Sequence, residues 1–288
     1  MGLLKQFNAL IWSWSETLRA FRHGVAVAPF AIYTSIHLVL LLGIVWFAYP
    51  PMSSIVAPLL RWRVGEMALH YPGNLFALRP ALAQADSVLI VFLGSVLTGA
   101  AVHMFASFYG GRRERLGAGW AAAVRRYVPL AVVAGVLMLA THFVAQAPFA
   151  FMSGLAEDSP GVFRLFRLAA IAIVVVIQAL FVYTTPYLVA SGRSLMSSVR
   201  GSFRLAAVTP VTTLFIVGVP AALELIPLWL TRQSATIAMT MAPEFLIWIM
   251  VLWVAIIFVG GYLAAGAATR FFLHSTQDDA ATEGGGRS

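Results

Sequence analysis

The stretch Glu244-Phe-Leu-Ile-Trp-Ile-Met-Val-Leu-Trp-Val-Ala-Ile-Ile-Phe-Val-Gly-Gly-Tyr-Leu-Ala-Ala-Gly-Ala267 decides the fold. After Glu244 it holds no charged side chain, and at about 1.5 Å per helical residue it is long enough to cross the roughly 30 Å of hydrocarbon in a bilayer. Outward from it, five more stretches qualify, at about 25–49, 87–109, 127–152, 165–190 and 206–230. The predicted fold is an all-α integral membrane protein, a six-transmembrane-helix bundle preceded by an amphipathic interfacial helix.

Composition agrees. Of 288 residues, 60% are apolar and 10% charged, and the mean hydropathy is +0.87. A soluble domain carries about a quarter charged residues, so a cytosolic enzyme, a disordered chain and a secreted disulfide scaffold are excluded. With no cysteine, thiolate catalysis, iron–sulfur clusters and cysteine zinc sites are excluded too. The net charge of +8 says nothing of nucleic acid in such a chain, and no nucleic-acid partner is expected. Its meaning lies in placement, because cationic loops stay cytoplasmic. With the N-terminus inside, Lys5, Arg19, Arg22, Arg112, Arg113, Arg115, Arg125, Arg126, Arg193, Arg200, Arg204, Arg270 and Arg287 fall on inner segments. Arg61, Arg63, Arg79, Arg164, Arg167 and Arg232 fall on outer ones, where one short loop also carries Glu157 and Asp158. The expected location is a bacterial inner membrane, multi-pass, with both termini cytoplasmic.

Within residues 1–24, Leu3, Leu4, Phe7, Leu10, Ile11, Trp14, Leu18 and Phe21 recur at steps of three and four, the pattern of a helix lying on a membrane. Residues 25–272 form the transmembrane domain. The outer loop from Pro50 to Asp86 contains a stretch, Ile55 to Leu69, that reads as a second interfacial or shallow re-entrant helix. The polar, Gly-rich tail, 273–288, reads as a disordered cytoplasmic segment. Three times an arginine-bearing amphipathic stretch precedes a span with proline in its first turns: Arg19 and Arg22 with Pro29, Arg125 and Arg126 with Pro129, Arg200 and Arg204 with Pro210. This is a weak, irregular repeat, consistent with three helical hairpins.

The segment Pro186 to Leu205 contains Ser198, Val199, Arg200, Gly201, Ser202, Phe203, Arg204 and Leu205 after a proline and a short polar stretch. In this it resembles the YciC-like uncharacterised inner-membrane proteins and the related membrane domain attached to some glycerophosphoryl diester phosphodiesterases. The Gly110–Arg126 turn is similar in layout. The resemblance implies six spans with both termini inside and transfers no activity. On one helix, Ser198 with Ser202 and Arg200 with Arg204 fall on neighbouring stripes. Arg200, Arg204, Arg125 and Arg126 are candidate contacts for lipid phosphates. The plainer reading is that the arginines set orientation and the serines tie down backbone.

Ionisable side chains inside a span are functional candidates because burying them unpaired is costly. His37 and His142 lie near mid-span, His103 nearer the inner side, and Glu224 near the outer end of the fifth span between Pro220 and Pro227, where a broken helix is expected. For the histidines, and for Gln146, Gln178, Thr184 and Thr185, interhelical hydrogen bonding is the plainer role. Ser95 and Gly99, Gly218 and Ala222, and Gly260, Ala264 and Ala268 are spaced for close helix approach, in one bundle or an oligomer. Gly94-Ser95 with His103 lacks the rest of a hydrolase motif, and no metal or phosphate-loop motif is present. The expectation is therefore a non-enzymatic, cofactor-free membrane component, with lipids and a membrane-protein partner or second copy as partners. The alternative is a small-solute or lipid transporter. A transporter requires His37, His142 and Glu224 to converge on a polar cavity, whereas a structural bundle leaves them dispersed or paired.

Overall fold

The computed structural model describes the chain apart from residues 1, 48, 72, 113–115, 152–158 and 285–288. Arg113, Arg115, Glu157, Asp158 and Arg287 thus lie outside the described residues. The described residues form helices and no strand: α1 (Leu3–Arg22), α2 (Val27–Val45), α3 (Met52–Val64), α4 (Gly73–Leu89), α5 (Ser95–Tyr109), α6 (Leu116–Arg125), α7 (Tyr127–Phe151), α8 (Pro160–Phe181), α9 (Thr184–Val189), α10 (Leu195–Val208), α11 (Pro210–Arg232), α12 (Ser234–Thr240) and α13 (Phe245–Gly284). Among the described residues, six helical stretches are long and apolar enough to cross a membrane: Val27–Val45, Gly73–Tyr109, Tyr127–Ala147, Gly161–Val189, Pro210–Arg232 and Phe245–Thr276. The chain is a polytopic membrane protein of the expected class.

Three boundaries differ from expectation. The second span starts at Gly73, well before residue 87, because α4 runs through a π-helical turn at Ile90–Gly94 into α5. The charged and amide side chains of Arg79, Gln84 and Asp86 lower the hydropathy of α4, but Leu75, Leu78 and Leu82 recur on one buried face, which is how an amphipathic helix joins a core. The fifth span is not broken: α11 is continuous through Pro220 and Pro227. Pro220 is accommodated by the neighbouring helix at Gly260, where a Cβ would sit 3.3 Å from the proline ring. Finally, the stretch expected to be a disordered tail continues α13 as helix to Gly284. Between the first two spans α3 is followed by a 3-10 turn at Glu66–Leu69, and an exposed Arg61–Glu66 pair at 2.8 Å links the two.

The chain divides into two compact units. One comprises Met1–Pro29, Val91–Val219 and Tyr262–Ser288; the other Phe30–Ile90 and Pro220–Gly261. The smaller unit has an aliphatic core of Leu41, Ile44, Leu60, Leu78, Leu82, Leu246 and Ile249 from α2, α3, α4 and α13.

The larger unit gives the weak repeat a physical form. In all three copies an amphipathic helix ends at a short break and a span begins: α1 into α2, with Gly24 and Ala26 at positive φ; α6 into α7 at Arg126; and α10 into α11 at Thr209. Each amphipathic helix docks at a glycine. A Cβ at Gly266 on α13 would collide with Thr17 of α1, a Cβ at Gly99 on α5 would lie 3.3 Å from Ala123 of α6, and a Cβ at Gly201 on α10 would lie 2.9 Å from the Tyr187 ring of α9. Such contacts bring helices close where water cannot drive association.

In α1 the docked face is Gln6, Ala9, Leu10, Ser13, Thr17 and Ala20, small and polar rather than apolar. Thr212 donates to the Gln6 carbonyl at 3.0 Å, and the Gln6 side-chain oxygen accepts from the Val211 N–H at 3.2 Å. Leu3, Leu4, Ile11 and Leu18 stay exposed. The exposed stripe keeps most of the residues that the sequence assigns to lipid, but Leu10 and Trp14 of that stripe pack into the protein core instead.

Candidate functional site

In the smaller unit, α2 and α4 meet through three polar side chains. Tyr33 and His37 are one turn apart on α2, so they share a face, and Asp86 projects from α4. The Tyr33 hydroxyl donates to Asp86 Oδ1 at 2.6 Å. His37 Nε2 lies 2.9 Å from the same oxygen, and His37 Nδ1 lies 2.9 Å from the Tyr33 carbonyl. His37 is fully buried and Tyr33 nearly so. The Tyr33 ring packs on the imidazole, centroids 4.5 Å apart, and the Trp253 ring closes a second side edge-on at 6.0 Å.

The hydrogen bonds fix the protons. A carbonyl only accepts, so Nδ1 carries hydrogen and donates to Tyr33. A neutral imidazole would then present a lone pair at Nε2, which cannot bond a carboxylate. One proton therefore lies on the Nε2–Oδ1 line, as imidazolium facing carboxylate or as imidazole facing carboxylic acid. In both forms the pair is neutral overall, which suits an apolar setting where an isolated charge is costly.

Glu224 is exposed on α11 and makes no hydrogen bond or ion pair among the described residues. His142 is exposed on α7 in the larger unit. Within the smaller unit, which holds both His37 and Glu224, the two share no hydrogen bond. A cavity of about 120 Å³ in the smaller unit is lined by Leu75, Phe76, Leu78, Arg79, Pro80, Thr231, Ser234, Leu246 and Met250, with none of the three candidates in its wall. The intramembrane residue that sequence reasoning missed is Asp86, taken as the end of the outer loop. The available signal was the Tyr33–His37 pair, one helical turn apart inside an apolar span and in need of an acceptor.

The larger unit holds the basic candidates. Arg125, Arg200 and Arg204 are exposed. Arg126 instead donates through Nη2 to the Gly192 carbonyl at 2.8 Å, fixing the turn where Gly192 has φ +65°. On the inner face of α10, Ser198 and Ser202 are fully buried. Ser202 Oγ donates to the Leu180 carbonyl at 2.6 Å and accepts from the Tyr183 N–H at 3.2 Å. It thereby satisfies backbone groups left open where α8 gives way to α9. The serines do tie down backbone, and Gly201, an unfavourable helix residue, is there to admit the Tyr187 ring. Thr184, expected to bond a neighbouring helix, is buried with no partner for its hydroxyl among the described residues.

Compared with family models, with curated proteins and with solved structures, the chain matches none.

Proposed function

We propose that this polytopic protein is a non-enzymatic component of a bacterial inner membrane, with both termini cytoplasmic, that organises anionic phospholipid at the inner leaflet. The observation that carries the reading is the set of three docked amphipathic helices in the larger unit. Here α6 and α10 commit their small faces to the bundle and present Arg125, Arg200 and Arg204 outward, while α1 presents Leu3, Leu4, Ile11 and Leu18. Guanidinium groups beside apolar side chains match a surface of phosphates over acyl chains. The resemblance to the YciC-like proteins is in keeping with this reading and adds no substrate. A carrier would draw support from a broken fifth span, and α11 runs through Pro220 and Pro227 without a break.

The test is lipid retention. A basic side chain near an anionic surface contributes about 1 kcal/mol, so Arg125→Gln, Arg200→Gln and Arg204→Gln together should weaken binding to phosphatidylglycerol-containing bilayers on the order of a hundredfold. Annular phosphatidylglycerol is counted by native mass spectrometry after extraction in mild detergent. A triple variant that folds and keeps its full complement of anionic lipid refutes the proposal.

A further inference from the structure

Arg270, on α13 in the larger unit, is held without being neutralised. Its guanidinium carbon sits 3.8 Å from the centre of the Trp12 ring of α1 and 5.2 Å from that of Tyr109, the last residue of the second span. Tyr109 is fixed in turn, its hydroxyl sharing a 3.2 Å hydrogen bond with Thr17 Oγ1 and donating to the Gly266 carbonyl at 3.4 Å. Two aromatic rings thus set the plane and direction of the cation. They supply no acceptor. Arg270 makes no hydrogen bond or ion pair among the described residues, and its Nε is fully enclosed with no partner. Glu16 is near enough to feel the charge, but its carboxylate lies 3.6 Å from Arg19.

An arginine has five N–H donors in a rigid fork matched to two oxygens of a phosphate. Leaving them unused at a partly buried position is costly, and the aromatic partners belong to an interfacial helix and a span end, where rings mark the headgroup layer. We infer that the Trp12–Arg270–Tyr109 arrangement is a binding site for one phosphate group, that of an inner-leaflet phospholipid headgroup. The orientation rests on the reading given above. The site is distinct from the exposed arginines: those meet a field of lipid, whereas Arg270 holds a single headgroup.

The experiment uses the full chain, delipidated in neutral detergent, with phosphatidylglycerol, diacylglycerol and inorganic phosphate as separate probes. Wild type should retain one phosphatidylglycerol against dilution, bind no diacylglycerol, and release the lipid to inorganic phosphate only at large excess. Loss of the charged hydrogen bonds in Arg270→Gln should weaken the retained lipid about tenfold to a hundredfold. Arg270→Lys, which keeps the charge but not the fork, should fall between. Should Arg270→Gln fail to fold, solid-state NMR on wild type decides: a dipolar coupling between the arginine ¹⁵N and the lipid ³¹P supports the site, and its absence overturns it. Equal binding of diacylglycerol overturns phosphate recognition, and competition by inorganic phosphate at equal concentration assigns the site to the free ion and overturns the headgroup claim. Arg200→Gln and Arg204→Gln separate the two readings. If they leave bulk anionic lipid untouched while Arg270→Gln releases the single lipid, the organising role fails and the site stands; the reverse pattern removes the site alone.

Discussion

Replacing Asp86 with alanine should loosen the smaller unit more than the removal of any other carboxylate. The substitution leaves the Tyr33 hydroxyl and His37 Nε2 facing nothing, at positions 8% and 0% exposed, where water cannot take over. An orphaned buried polar group costs about 1–3 kcal/mol. Against that, interhelical hydrogen bonds in membranes average only about 0.6 kcal/mol, because the unfolded chain in lipid also finds partners. The first effect wins here, since one oxygen serves two donors and His37 is locked to its carbonyl. The expected loss is about 2–4 kcal/mol, just reaching the range for breaking a buried ion pair. Asp86→Asn should cost roughly half as much: one amide atom cannot both accept from Tyr33 and donate to a neutral Nε2 at the place Oδ1 now occupies. The assay is reversible unfolding in mixed micelles, with His37→Ala and the double variant completing a cycle. The coupling should exceed about 1 kcal/mol. Additive effects, or an Asp86→Ala variant within about 0.5 kcal/mol of wild type, would refute the shared-proton geometry.

Gly266→Ala forces a methyl into Thr17 and Phe105 and should destabilise by about 1–3 kcal/mol, whereas Gly117→Ala on α6 meets open space and should be neutral or stabilising by up to about 1 kcal/mol; thermal unfolding in detergent compares them. Ser202→Ala strips the Leu180 carbonyl and Tyr183 amide of a partner and should cost about 1–3 kcal/mol, with faster amide exchange confined to residues around the α8–α9 break. Outside the membrane, Tyr71 donates to Glu244 at 2.8 Å. Glu244's own backbone N–H, and then Tyr71, hold its carboxyl below the usual glutamate value, and the bond to Glu244 raises the phenol of Tyr71. A lowered carboxylate contributes stability above its unfolded value and loses it as pH falls through the folded one. Protection of the amides at the head of α13, taken relative to intrinsic exchange, should therefore fall on acidification below the glutamate range, and Tyr71→Phe should shrink that response. An unchanged response in Tyr71→Phe would remove the tether.

Hydropathy made the spans legible because a bilayer demands long apolar helices and little else produces them. It failed at α4, where Arg79 and Asp86 interrupt the apolar average while Leu75, Leu78 and Leu82 still face a core. Asp86 was lost with it, and so was the pairing of His37. At Pro220 the expected break does not form, because α11 stays continuous, and the glycine that makes room for the ring sits on another helix, forty residues away in the chain. In α1 the apolar stripe was visible, but the Gln6, Ser13 and Thr17 face could not be assigned without its partner. Ser202 and Gly201 look alike in sequence as small residues; only the break after α8 and the Tyr187 ring give each a distinct task.

The seat of α1 has a further consequence for biogenesis. Thr17 rests at Gly266 and Gln6 at Thr212, so α1 leaves the ribosome well before the elements it is built to fit. At about 5–20 residues per second, its groove does not exist for roughly 10–50 s of synthesis. Over much of that interval the newborn helix has the lipid surface and, once the second span is made, Tyr109 at Thr17 to hold it, with the rest of its polar edge uncovered. A chain stalled after the fourth span should leave much of that edge open to chaperones and proteases, so α1 is fully seated only once the sixth span has been made.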